Sequence, residues 1–479
     1  LMLFNSLAFA LFFPIVIILY FLIPHKFRWI FLLAASYYFY MCWKAEYALL
    51  IILSTVVDYF VALRMGSIEE KPKRKKWLFI SLLVNLGLLF TFKYFNFFGN
   101  SLNEVFQQLN IMAEVPAFKL LLPVGISFYT FQTLSYSIDV YNGKIRPEKH
   151  FGLFALYVSF FPQLVAGPIE RPDRLLPQFR EKFDFEYERV VNGLRMMAWG
   201  FFMKLVIADN VAPIVDVVFK NPANYEGFQV ILATVFFAFQ IFCDFAGYSI
   251  IAIGAAKIMG YDLMQNFNRP YYATSVREFW QRWHISLSTW FRDYLYIPLG
   301  GNRVVKWRWY YNLMVTFVVS GLWHGANWTF VVWGFLHGFY LVFAIISEPF
   351  RDKMNAAIGL TKMPRLLNFI QVSITFVLAC LAWVFFRAQS VGDALTLIGN
   401  MPKISLSQLH WDIIPDKGPD IVLALFFIGV LQLIHFFQEY PKWQNPMFSN
   451  SPVVRWSAYF LIGLATLSFG RFASSEFIY

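Results

Sequence analysis

Long apolar runs follow one another along this 479-residue chain, and many approach the length needed to cross a bilayer. No other feature limits its fold as strongly. The hydrocarbon core is about 30 Å thick, so a spanning helix needs about 20 mostly apolar residues. Backbone polar groups in lipid must be satisfied within the segment, which makes such runs helical. Candidate spans are 7–23, 29–43, 45–63, 77–98, 119–141, 151–168, 190–217, 227–260 (long enough for two), 311–330, 330–347, 367–386, 420–438 and 455–474. The predicted architecture is all-α: one polytopic transmembrane domain over residues 1–479, with about 11 to 13 hydrophobic helices and some re-entrant or amphipathic ones. Composition agrees, with 58% hydrophobic and 14% charged residues, far from the roughly 25% charge of a soluble domain. The first run lacks a basic leader and a small-residue cleavage site, so a retained span is expected rather than a signal peptide.

Charge is sparse and uneven, with 40 Lys and Arg against 29 Asp and Glu, a net +11. Two stretches, Arg64–Lys76 and Asp262–Arg308, carry +4 each. Basic clusters beside apolar spans mark cytoplasmic loops and lipid headgroup contact before they suggest nucleic acid, which is not expected as a partner. The basic loops are at Lys26 and Arg28, at Lys71–Lys76, and at Lys144, Arg146 and Lys149. The loop 99–117 between them carries Glu104 and Glu114 and no basic residue. This alternation predicts an extracytoplasmic N-terminus. The loop 388–419, with Pro402, Pro415 and Gly418, is expected outside as well.

Cys42, Cys243 and Cys380 all lie in apolar stretches with no metal-ligand spacing, so no metal site is predicted. There is no P-loop, dinucleotide fingerprint, HExxH or Gly-x-Ser-x-Gly elbow. An enzyme of this composition would most economically use a buried histidine as general base. Two segments offer one. In residues 261–309, Arg277, Gln281, His284, Ser288 and Arg292 recur at helical spacing, opposite Trp280, Trp283, Leu287, Phe291 and Tyr294. Taken alone, this stripe fits an interfacial helix better than a cavity wall. Pro298, Gly300 and Gly301 should then end it in a tight turn. The second segment is Gly321-Leu-Trp-His-Gly-Ala-Asn327, which places His324 inside a strongly apolar run. An ionisable group at membrane depth points to function, while a hydrogen-bonded structural histidine explains it equally well. His337 lies 13 residues on, about 220° around one continuous helix, and is read as structural. Asp58, Lys93, Asp139, Lys204, Asp209, Asp244 and Lys257 are read as helix-to-helix pairing groups, with Lys204 and Asp209 within reach of each other.

Glu278-Phe-Trp-Gln-Arg-Trp-His-Ile-Ser-Leu-Ser-Thr-Trp-Phe-Arg-Asp-Tyr-Leu-Tyr-Ile-Pro-Leu-Gly-Gly-Asn302, followed by Gly321–Asn327, closely resembles the membrane-bound O-acyltransferase family. Leu122–Tyr129, Phe161–Pro168, Ile207–Asp209 and Asp244–Ser249 match it too, and Glu476–Tyr479 resembles the start of its C-terminal signature. The likeness runs from about residue 4 onward and is strongest to the alginate O-acetyltransferase branch, although Ala246 and Ile250 depart from that branch's usual residues. The resemblance implies a catalytic role for His324, a second active-site role for His284, and a tunnel joining the two membrane faces. A tunnel wall then becomes the better reading of the stripe. Arg277, Gln281, Arg282, Ser288, Arg292, Trp323 and Asn327 become candidate tunnel or substrate residues. The resemblance also implies an acyl thioester donor such as acetyl-CoA, no tightly bound cofactor, and an extracytoplasmic acceptor, either an SGNH-type protein or the polysaccharide itself. It places the chain in the bacterial inner membrane. D-alanyl transfer to teichoic acid and a non-catalytic transporter are the alternatives.

Overall fold

The computed structural model describes residues 2–118, 121–165, 167–405, 413–440 and 451–472, and every regular element among them is helical. Among the described residues, seven helices are long and apolar enough to cross a membrane: Ala45–Gly66, Lys71–Gln108, Phe228–Met259, Trp328–Ala357, Pro364–Arg387, Gly418–Glu439 and Pro452–Phe469. This is fewer than the expected count of about 11 to 13, because the other apolar runs fold into shorter or broken pieces. Leu7–Leu22 has 16 residues, His25–Met41 and Ile126–Asn142 have 17 each, and Phe151–Ser159 has 9. The run at 190–217 is interrupted by a π turn over Phe202–Ala208. Lys306–His324 begins with Lys306 and Arg308, which lower its apolar character. The stretch 227–260 is one unbroken helix of 32 residues, about 48 Å long at 1.5 Å per residue, rather than two spans.

The expected transmembrane domain contains two compact units. One comprises Leu1–Met197 with Ala252–Met264, and the other Ala198–Ile251 with Gln265–Tyr479.

The first unit is held by a buried polar centre. Asp58 on Ala48–Gly66 is fully buried and accepts from Ser81 Oγ, from Asn85 Nδ2 at 2.8 Å, and from Ser137 Oγ at 3.0 Å. Asn85 Oδ1 in turn accepts from Ser54 Oγ at 2.6 Å and Thr133 Oγ1 at 3.1 Å. Three helices are thus joined by hydrogen bonds in an apolar setting, where burial alone gives little preference for helix over lipid. This is the pairing role expected of Asp58.

In the second unit Lys204 sits between Asp209 at 2.8 Å and Asp244 at 2.6 Å, all three buried. An α-helix places residues five apart on different faces. The π turn widens the coil, so Lys204 and Asp209 share one. The paired helices Lys306–His324 and Trp328–Ala357 cross where Gly321 meets Gly334. A Cβ on Gly321 would lie 2.2 Å from the Phe330 carbonyl oxygen, and one on Gly334 2.3 Å from that of Phe317. Only glycine permits this approach.

Replacing Asn85 with Ala should leave Asp58, Ser54 and Thr133 short of partners and lower stability by about 1–2 kcal/mol. Thermal unfolding of the detergent-purified protein measures it, and an unchanged midpoint would count against this centre as a helix clamp.

Candidate active site

The polar stripe of 277–292 does not lie on one helix. Val276–Arg282 and Ile285–Phe291 are separate seven-residue helices, with His284 between them in the left-handed conformation at φ 43° and ψ 54°. Such a conformation costs a non-glycine residue of order 1–3 kcal/mol and persists only where its surroundings enforce it. Asn266 does so here. Its main-chain oxygen accepts from Ile285 N at 2.9 Å. Its side-chain oxygen accepts from Ser286 N at 3.3 Å and from Ser286 Oγ at 2.9 Å. Those are the first amides of the second helix, groups that lack partners within it.

The same Oδ1 lies 3.1 Å from His284 Nδ1. A main-chain N–H can only donate, so the atom facing Ser286 N is the amide oxygen. His284 Nδ1 therefore carries the hydrogen, and in the neutral ring Nε2 is the acceptor. His284 is fully buried, and burial pushes its imidazole from 6.5 down to about 3. Phe245 meets its ring edge-on at 4.6 Å.

His324 ends Lys306–His324, and the chain turns at once through Gly325 into Trp328–Ala357. Its ring is 6.3 Å from that of His284, 4.9 Å from Trp333, 5.0 Å from Trp323 and 5.5 Å from Phe386, centroid to centroid. The two histidines, remote in sequence, thus share one aromatic enclosure. Trp323 also lies 6.1 Å from His284.

Other predicted residues separate into groups. Gln281, Ser288 and Arg292 line a cavity of about 380 Å³, together with Trp280, Thr316, Phe317 and Ser320. Ser320 is one helical turn before His324. Neither histidine is among the lining residues. Arg277 and Arg292 are exposed, and Arg292 pairs with Asp293 at 2.8 Å. Arg282 binds Glu439 through two bonds of 3.0 and 2.9 Å and pairs with Glu278 at 2.7 Å, a structural commitment. Asn327 Oδ1 caps Thr329 N at 3.0 Å, and its Nδ2 donates to the Gln389 oxygen. Gly300 and Gly301 take positive φ in the expected turn.

His337 does not lie on one helix with His324, because the chain folds back between them. It accepts from Trp280 Nε1 at 3.2 Å and stands 5.0 Å from Trp333. Asn266, Trp333 and Trp383 escaped the sequence reading. The two tryptophans look like ordinary core aromatics, and Asn266 sits in a polar loop with no periodicity to mark it. The signature at 476–479 lies outside the described residues. Among the described residues no group of histidine, cysteine and acidic side chains could hold a metal.

The membrane-bound O-acyltransferase family model matches residues 76–387, most of the chain, and includes both histidines. The chain belongs to that family. Relatives include the probable alginate O-acetylase AlgI of Pseudomonas aeruginosa, 40% identical over 81% of this chain and 73% of that protein. The peptidoglycan O-acetyltransferase of Helicobacter pylori is 37% identical over 77% and 73%. The teichoic acid D-alanyltransferase of Streptococcus thermophilus is 31% identical over 46% and 56%. The chain is accordingly an O-acyltransferase, a multi-pass bacterial membrane enzyme.

Asn266→Ala should strand Ser286 N–H and His284 Nδ1–H, at about 1–3 kcal/mol for each unsatisfied donor. A fall in melting temperature and a loss of acyl transfer are expected together. Because burial lowers the His284 pKa below its unfolded value, the unfolded chain binds the extra proton. Stability from this group is complete above pH 6.5 and is lost as pH falls toward 3, by up to about 1.4 kcal/mol per pH unit. His284→Gln should flatten the acid side of the stability profile by that slope. Coincident profiles would show that His284 does not titrate as described.

Proposed function

We propose that this enzyme transfers an acetyl group from a cytoplasmic thioester, acetyl-CoA, across the membrane for O-acetylation of an exopolysaccharide or cell-wall polymer, with His324 as general base. The observation that carries this reading is the meeting of two imidazoles, 6.3 Å apart, inside an aromatic enclosure of an O-acyltransferase. The acceptor hydroxyl oxygen attacks the thioester carbonyl carbon as His324 takes the hydroxyl proton. The carbonyl electron pair moves onto oxygen. Collapse of that intermediate breaks the carbon–sulfur bond, and the departing thiolate takes the proton from His324. General-base assistance of this kind is worth about 10²–10⁴ in rate. Water exclusion by Trp323, Trp333 and Phe386 strengthens the charge interactions of the step.

His284 accommodates one of two roles, orienting the reactants or donating to the oxyanion. With its hydrogen committed to Asn266, the neutral ring has only the Nε2 lone pair to offer, which supports orientation by accepting a hydrogen bond. Arg277 and Arg292, both exposed, are the arginines suited to attract the donor's phosphates, since Arg282 is held by Glu439. The acetyl group passes to an SGNH-type extracytoplasmic protein or directly to the polymer. The basic loops support an inner-membrane orientation with the N-terminus outside. The Pseudomonas aeruginosa and Helicobacter pylori relatives, each matching most of this chain, are named for O-acetyl chemistry, which favours acetyl over D-alanyl.

His324→Ala should lower acetyl ester on the secreted or cell-wall polymer by about 10² or more, with normal insertion of the protein. Wild-type acetylation in that variant would sink the catalytic reading.

A further inference from the structure

Indole N–H groups are donors only, and buried ones usually find an acceptor. Behind His324 several do not. Trp283, Trp333 and Trp383 are fully buried, and none of their Nε1–H groups has a hydrogen-bond partner among the described residues. His337 adds another donor. Trp280 Nε1 can only donate, so His337 Nδ1 accepts from it, and the hydrogen of the neutral ring sits on Nε2. That atom too is buried and has no partner among the described residues. An unsatisfied buried donor costs about 1–3 kcal/mol, and here several are gathered in one place.

They form one contiguous cluster. Trp333 stands 4.9 Å from His324, 5.0 Å from His337 and 5.7 Å from Trp383, centroid to centroid. Trp333 and His337 are four residues apart on one helix and share a face. The neighbouring rings, Phe279, Phe317 and Phe386, offer no conventional acceptor. The cavity of about 380 Å³ comes within one ring of the cluster: Trp280 and Phe317 line it and contact His337, while Trp333, Trp383 and His337 stand behind them.

We propose that Trp333, with Trp383 and His337 beside it, forms a donor-only enclosure that binds the carbonyl oxygen of the acyl group as that oxygen becomes negatively charged. A ligand for such a site must bring acceptors and no donors, and a thioester carbonyl does so. The charge of the tetrahedral intermediate then falls on indole and imidazole N–H groups next to the base. This assignment rests on the reading of His324 as that base, and it supplies the oxyanion donor that His284 does not.

The test replaces Trp333 with 3-benzothienylalanine, which keeps the bicyclic shape and lacks the N–H. Turnover of radiolabelled acetyl-CoA by the purified protein should fall by about 10²–10³, the usual effect of removing one oxyanion donor. KM should stay close to wild type, since the interaction strengthens only in the transition state. A folded isostere protein with wild-type kcat would overturn the proposal, as would a loss confined to KM. If the isostere does not insert, fluorinated tryptophans at 333 keep the ring shape and make the N–H more acidic. Turnover should then change steadily with fluorine number, and a flat response would overturn the proposal equally. His324→Ala is assayed in parallel. Full turnover in that variant rejects the base itself. Loss there, with an active isostere, rejects only the donor role of Trp333.

Discussion

One asparagine organises the candidate active site. Asn266 supplies both of its oxygens to the segment 284–286, capping the helix Ile285–Phe291 and fixing the hydrogen on His284. The left-handed turn at His284, the break between the two short helices and the direction of the imidazole all follow from it. In water such a contact would compete with solvent and contribute modestly. In a buried site the alternative is several polar groups without partners, so the same bonds become decisive.

The wall around His324 is built differently. It consists of rings meeting mostly edge to face at 4.9–5.5 Å, from the hairpin helices and from Pro364–Arg387. Such packing is stiff and keeps water out, which suits the transfer of an acyl group. The hairpin's glycine crossing brings its two helices into backbone contact, so Trp333 is held against His324. Rigidity on the His324 side and hydrogen bonding on the His284 side are complementary ways of fixing two rings.

Much of this was legible in the sequence, for identifiable reasons. The long apolar runs marked seven helices because length and hydropathy are local properties. The tight turn at Gly300 and Gly301 and the closeness of Lys204 to Asp209 were also readable from neighbouring residues. The broken helix at His284 was not, since an amide 18 residues away imposes it. The periodicity of 277–292 is real, and it misled because two short helices can carry the same spacing as one. The resemblance makes Arg282 a candidate for the substrate, yet its partner Glu439 lies 157 residues on, beyond any local pattern. The helices Leu7–Leu22 and Ile126–Asn142 end on local signals, the first just before Pro24 and the second between the left-handed Gly125 and Gly143.

The π turn over Phe202–Ala208 has a bearing on how such a chain can change over time. A π turn is what an α-helix becomes when it absorbs one extra residue. Deleting one residue between Lys204 and Asp209 would restore the ordinary coil and leave the helix up to Lys220 facing as it does, because the π turn already takes that residue up. Lys204 and Asp209 would then be four residues apart, a spacing that shares an α-helical face, and the pair with Asp209 would survive. The π turn is therefore the place where this helix can lose a residue without turning its faces. The same deletion in the α-helical turns of Asp209–Lys220 would rotate everything beyond it by about 100°.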